Sequence, residues 1–272
     1  MNNFPRLLHP LCLMVLCLST IFAQDEGTRT DWLQQQPELQ KQRRQQLEQL
    51  TQMIEENPER LDLYSRRGDL SFFLGDSEQA VSDYDKMVEL SPSIDASHWR
   101  RGIALFYTGK YKEAAAQFDR YHSFDDVDRE NGIWRYLSHY KAFGKEKARA
   151  ELLKYEKDDR EPFPSVYKLF AGKIAPEQIL KEIETAEISE PQRESRIFYA
   201  SLYIGMNYVV EEKPELAKKT LKKMLGNTWG PKAGYGPNFM WEVGRLQYEL
   251  LQSQTSKDES GMGISNSKST SE

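Results

Sequence analysis

Residues Arg66–Ala80 read "RRGDLSFFLGDSEQA" and Arg100–Ala114 read "RRGIALFYTGKYKEA", so one pattern recurs after 34 residues. At that offset Gly68 matches Gly102, Gly75 matches Gly109, Ala80 matches Ala114, Tyr84 matches Phe118 and Met87 matches Tyr121. Such a period marks one supersecondary unit laid down repeatedly, each copy burying its apolar face on the next. Within a unit, Gly68 or Gly102 stands where a neighbouring helix leaves no room for a side chain, and Gly75 or Gly109 makes the turn. Ala80 or Ala114 then permits a close helix crossing, and Tyr84 or Phe118 fills the space between. Pro92 stops the second helix, because its nitrogen carries no hydrogen for the next turn.

One period back from Tyr84, Met87 and Pro92 lie Leu50, Met53 and Pro58, so the glutamine-rich run "ELQKQRRQQLEQLTQMIEEN", starting after Pro37, reads as the second helix of a half repeat that caps the array. Its stripe of Leu47, Leu50, Met53 and Ile54 suits docking on the neighbouring helix, with a coiled-coil partner as the alternative. One period forward, "IWRYLSHYKAFGKEKARAELLKY" is a degenerate third copy. Its Trp134-Arg135 echoes Trp99-Arg100 one residue late, and Ala148 restores the spacing from Ala114. Beyond "EKDDREPFP" come a short pair, "SVYKLFAG" and "PEQILKEIETA", and a long pair containing Gly205 and Ala217, spaced as Gly68 and Ala80 are. "GNTWGPKAGYGP" reads as a loop and "NFMWEVGRLQYELLQ" as a closing amphipathic helix.

The repeat resembles the tetratricopeptide (TPR) family, and the expected fold class is all-α, a TPR-like helical-hairpin solenoid. The expected organisation is a signal peptide at 1–23, a polar segment at 24–37, the half repeat and three repeats at 38–157, further helical pairs at 158–252, and a disordered tail at 253–272. The order of parts, with two good repeats, a degenerate one, the short pair near "AGKIAPEQILKEI" and a tyrosine-rich repeat, resembles the NlpI-type TPR lipoproteins of bacterial envelopes. That resemblance implies a dimeric adaptor that brings peptidoglycan hydrolases to a periplasmic protease. This chain lacks a usable lipobox, since Cys17 follows "MVL".

Arg6 followed by the apolar "LCLMVLCLSTIFA" ending at Ala23 reads as a secretory signal rather than a span, which needs about 20 apolar residues. The protein is therefore expected to be exported, to a periplasm or to the outside. Cys12 and Cys17 both fall inside this segment, which leaves the mature chain without disulfides or thiolate chemistry. Hydrophobic residues make up 39% of the 272, enough for a core carried by long helices. A net charge of −5 with acids and bases interspersed gives no basic face for nucleic acid.

Nothing in the sequence marks an enzyme, a metal site or a cofactor. HExxH, GxSxG and GxxxxGK[ST] are absent. His98 reads as a structural histidine of the first helix of its unit. "DDVDRENG" fails as a calcium loop and reads as a polar helix start. An enzyme would instead be betrayed by a deep pocket with perturbed carboxylates, which an open superhelix should lack.

In TPR arrays the first helices of the units line the concave side. That register puts Asp62, Ser65, Asp69 and Phe72, then Ala96, Trp99, Ile103 and Phe106, and then Trp134 toward a ligand. Arg66, Arg100 and Arg135 occupy the adjoining sixth positions. The Lys and Asn pattern with which chaperone-binding TPRs hold a carboxylate is missing. Aromatic and arginine side chains suit a protein interface, so the candidate groove is Phe72, Trp99, Ile103, Phe106, Trp134, Arg66, Arg100 and Arg135. The alternative is that the tryptophans pack between repeats and the arginines pair with acids. The implied function is an exported adaptor that holds a protein partner. Its rival is a structural or self-associating envelope protein, a homodimer or one whose groove is filled by its own terminal helix.

Overall fold

A computed structural model of the chain describes residues 31–265, with side chains from Gln36 to Gln254. The expected signal peptide, both cysteines, Gln24–Thr30 of the polar segment and the end of the tail lie outside the described residues. The described residues are all-helical, without strands. In order the helices are α1 (Asp31–Glu56), α2 (Leu61–Phe73), α3 (Ser77–Leu90), α4 (Trp99–Tyr107), α5 (Tyr111–Phe124) and α6 (Arg129–Phe143). They continue as α7 (Lys145–Ala150), α8 (Phe163–Phe170), α9 (Pro176–Thr185), α10 (Glu190–Val210), α11 (Pro214–Leu225) and α12 (Tyr235–Ser265).

Local chemistry starts several of these helices. Asp76 accepts the amide of Gln79 at 3.0 Å at the start of α3, and Asp128 accepts that of Glu130 at 3.0 Å at the start of α6. Ser189 and Gln192 form a capping box at the start of α10, and Pro214 opens α11, where a missing amide does no harm.

Packing follows the period. A Cβ built on Gly68 would stand 2.7 Å from the ring of Tyr84, and one on Gly102 would stand 2.6 Å from Phe118. Gly205 repeats the device in the long pair, 2.7 Å from Leu221. In each case the glycine lets the ring or branched tip of the next helix lie against bare backbone. Ala80, Ala114 and Ala217 are fully buried at the crossings. An ion pair repeats as well: Arg101 Nε bonds Asp85 at 2.6 Å and Arg135 Nε bonds Asp119, every residue displaced by the 34-residue period.

Three expectations about extents change. The first helix begins at Asp31, ahead of Pro37, which removes one amide from an early turn without ending the helix. Within it Leu50 and Ile54 dock on the array, while Met53 is exposed. The second helix of the third unit ends at Ala150 rather than running to Tyr155, and the chain from Glu151 to Pro162 doubles back onto the start of α6. Tyr155 donates to the carbonyl of Asp128 at 3.0 Å, Arg129 to that of Lys157 at 2.8 Å, and Asp159 accepts the Arg129 amide at 2.9 Å. The last helix extends to Ser265, into the stretch expected as tail, since a helix already nucleated by packing propagates through polar residues at little cost.

Helix α12 packs on α11 and also reaches α2. Its Arg245 is fully buried, bonding Glu242 at 2.6 Å and Glu249 at 2.7 Å and donating to the carbonyl of Phe73. Arg43 of α1 bonds Glu242 in turn, so a buried chain of alternating charges ties the first helix to the last.

Candidate ligand-binding pocket

Of the residues expected to face a partner in the first two units, Asp69, Phe72 and Trp99 meet α12. Phe239 stacks on Phe72 at 5.4 Å and meets Trp99 edge-on at 4.9 Å. Tyr235 donates to Asp69 Oδ2 at 2.6 Å. The other oxygen of Asp69 accepts from Tyr84 at 2.7 Å and from Arg100 at 2.6 Å, and Arg100 also donates to Ser65 at 3.0 Å. Arg66 is exposed, while Phe72, Ile103 and Phe106 are buried.

Trp99 and Trp134 occupy different positions rather than equivalent ones. The repeated ion pair makes Arg135 the counterpart of Arg101, not of Arg100, so Trp134 stands where Arg100 stands one unit earlier. One residue along a helix is a rotation of about 100°. Accordingly Trp134 is 2% exposed, stacked on Phe118 at 6.3 Å and edge-on to Phe106 at 5.6 Å, whereas Trp99 is half-buried beside α12.

What α12 leaves uncovered is a cavity of about 500 Å³ inside the array. Trp99 and Ile103 of α4, Phe118 and Tyr121 of α5, and Asn131 and Trp134 of α6 line one side. Tyr199 of α10, Trp229, and Gly236, Pro237 and Met240 of α12 line the other. The returning segment after α7 delivers Arg160 and Glu161 beside Asp128 and Glu130.

The charged wall is an acid cluster built round one guanidinium. Arg160 bonds Glu130 Oε2 at 2.6 Å and Asp159 at 3.3 Å, reaches Asp128 at 3.5 Å, and lies over the Phe163 ring at 4.3 Å. Glu130 Oε1 accepts from Tyr203. Burial pushes the Glu130 carboxyl up to about 7 despite the attraction of Arg160, with Asp128 adding to the rise. Burial raises Asp128 as well. A pocket with perturbed carboxylates is therefore present where the sequence reading expected an open groove.

Asp125 and Asp128 do serve a polar helix start, accepting the amides of Val127 and Glu130. Glu130, two residues on, turns to the cavity instead. His98 is structural: it caps α4 by accepting the Arg101 amide at 3.3 Å, packs on Tyr84 at 4.9 Å, and burial lowers it to about 3. Among the described residues no cluster of His, Cys, Asp and Glu is arranged to hold a metal ion. Sequence reasoning read Glu130 as part of a polar helix start and passed over Arg160, Tyr199 and Trp229, which lie far apart in the chain and share no motif.

Comparison with known proteins finds no family model that matches the chain and no curated protein that matches it significantly.

Proposed function

We propose that this chain is an exported, TPR-type adaptor that holds a segment of another protein at the cavity between α4, α6, α10 and α12. The observation that carries this reading is the cavity itself, about 500 Å³ with aromatic walls and a small set of fixed polar groups. That is the usual make-up of a site that orients one bound group. The TPR assignment is supported by the glycine-on-ring contact and the Arg–Asp pair, both repeating with the sequence period. Export to a periplasm rests on the apolar segment ending at Ala23.

Glu130 suits a binding wall better than a catalytic acid, because Tyr203 and Arg160 engage both of its oxygens. A second reading, a structural or self-associating protein without a separate ligand, is favoured by α12 lying against Phe72 and Trp99, where a partner segment was expected.

Gly236 offers the test. It lines the cavity, and a Cβ there meets nothing within 4 Å, so Gly236→Leu fills the mouth without disturbing the fold. Tagged wild-type and Gly236→Leu proteins, isolated from the cells that make them, are compared by mass spectrometry of co-eluting proteins and by thermal melts. A partner held by the wild type and lost from a variant with an unchanged melt supports the adaptor. Absence of any partner, or the same partners with both proteins, removes it.

A further inference from the structure

We infer that the cavity, if it is the partner site proposed above, receives a basic side chain, the guanidinium or ammonium group of an arginine or lysine. The first observation is charge. Asp128, Glu130 and Glu161 line the cavity against one base, Arg160, among the described residues. That base is already shared by Glu130, Asp128 and Asp159. An anionic ligand would meet a wall with Asp128 and Glu161 beside Glu130, which adds its charge above about pH 7, and no unpaired base to receive it.

The second observation is an acceptor without a donor. Asn131 is 3% exposed and lines the cavity; its Nδ2 donates to the carbonyl of Phe118 at 3.1 Å, and its Oδ1 accepts nothing. A buried polar atom left unpaired costs on the order of 1–3 kcal/mol; Asn131 Oδ1 has under 1 Å² of exposed surface, so a ligand's donor gains it by a small turn of that side chain toward the cavity. Guanidinium and ammonium groups carry several donors and no acceptor, which matches a lining rich in carboxylates.

The third observation is the rings. Trp99, Tyr121, Tyr199 and Trp229 line the same space, with Tyr199 and Trp229 5.9 Å apart at 65° and Arg160 already 5.8 Å over the Tyr199 ring. Aromatic faces attract cations and also pack the aliphatic stem that carries them. A neutral polar group would gain the stem packing but not the charge terms.

The test titrates N-acetyl-arginine amide into the full purified protein, following tryptophan fluorescence and calorimetry. N-acetyl-citrulline amide serves as the neutral isostere and N-acetyl-lysine amide as the second cation. Saturable binding is expected for both cations, about tenfold weaker or worse for citrulline, and lost in Gly236→Leu. Equal binding of citrulline, binding that survives Gly236→Leu, or no saturation with either cation overturns the inference. The two readings separate cleanly. A partner captured through the cavity with no response to the cations removes the basic side chain and keeps the adaptor, while a response to the cations with no partner captured does the reverse.

Discussion

Tyr235 and Asp69 are 166 residues apart in the chain and joined by a hydrogen bond of 2.6 Å. Asp69 is the point at which the last helix enters the first unit: it also holds Tyr84 and Arg100, and Arg100 lies over the Tyr235 ring at 5.6 Å. Phe239, one turn further along α12, carries the apolar side of the contact, fully buried between Phe72 and Trp99. Phe239→Ala should therefore destabilise the fold by about 3–5 kcal/mol. Tyr235→Phe should cost only about 1 kcal/mol, because Asp69 keeps two other donors. Denaturant melts of both variants check this. A Phe239→Ala protein as stable as the parent would mean that α12 is not seated there.

The glycine contacts give a second measurement. Gly102→Ala puts a methyl group 2.6 Å from a carbon of the buried Phe118 ring, which must shift to admit it. Overpacking of this kind costs about 1–3 kcal/mol. Gly236→Ala, whose added carbon meets nothing within 4 Å, is the control and should melt with the parent. If the two variants melt together, the first and second helices of the unit are not as close as described.

Trp134 and Trp99 should separate in the same way. Trp134→Ala empties a site 2% exposed between Phe106 and Phe118 and should cost about 3–5 kcal/mol. Trp99→Ala, half-buried beside the cavity, should cost less stability and should weaken binding of any cavity ligand. Melting temperature and ligand titration, measured side by side, distinguish the two. Equal losses of stability would restore the equivalence that the sequence spacing suggested.

The contrast between these tryptophans shows what the sequence made legible. Periodic small residues such as Gly68, Gly102, Ala80 and Ala114 act through local helix pairing, so their spacing alone located the units. A one-residue slip was harder to judge, because "WR" occurs in both units and only the Arg135–Asp119 contact reveals which arginine corresponds to which. The cavity was not legible. It depends on Arg160, carried back by a segment that replaces a helix, and on Tyr199 and Tyr203 from a helix many residues later. Asp69, Phe72 and Trp99 lie against α12, the terminal helix named in the rival reading, and that contact joins residues far apart in the chain, which no local pattern encodes.

The acid cluster makes stability depend on pH in a direction opposite to that of an ordinary salt-bridged carboxylate. In the folded chain Glu130 keeps its proton up to about 7, because burial outweighs the attraction of Arg160, and Asp128 adds to the rise. In the unfolded chain it ionises near the ordinary value of 4.5. Between those two values the folded state binds the extra proton, so stability is greatest below about pH 4.5, falls as pH rises toward 7, and is level above it. In Glu130→Gln this contribution disappears, and the amide can still meet Tyr203. Asp128, raised in the same direction, leaves a smaller residual slope. Urea melts of parent and variant from pH 4 to pH 8 measure the difference directly. The parent should lose stability relative to the variant across that window, on the order of 3 kcal/mol at the upper end. Parallel curves would show that Glu130 ionises normally in the fold, and a difference of the opposite sign would show that Arg160 outweighs burial.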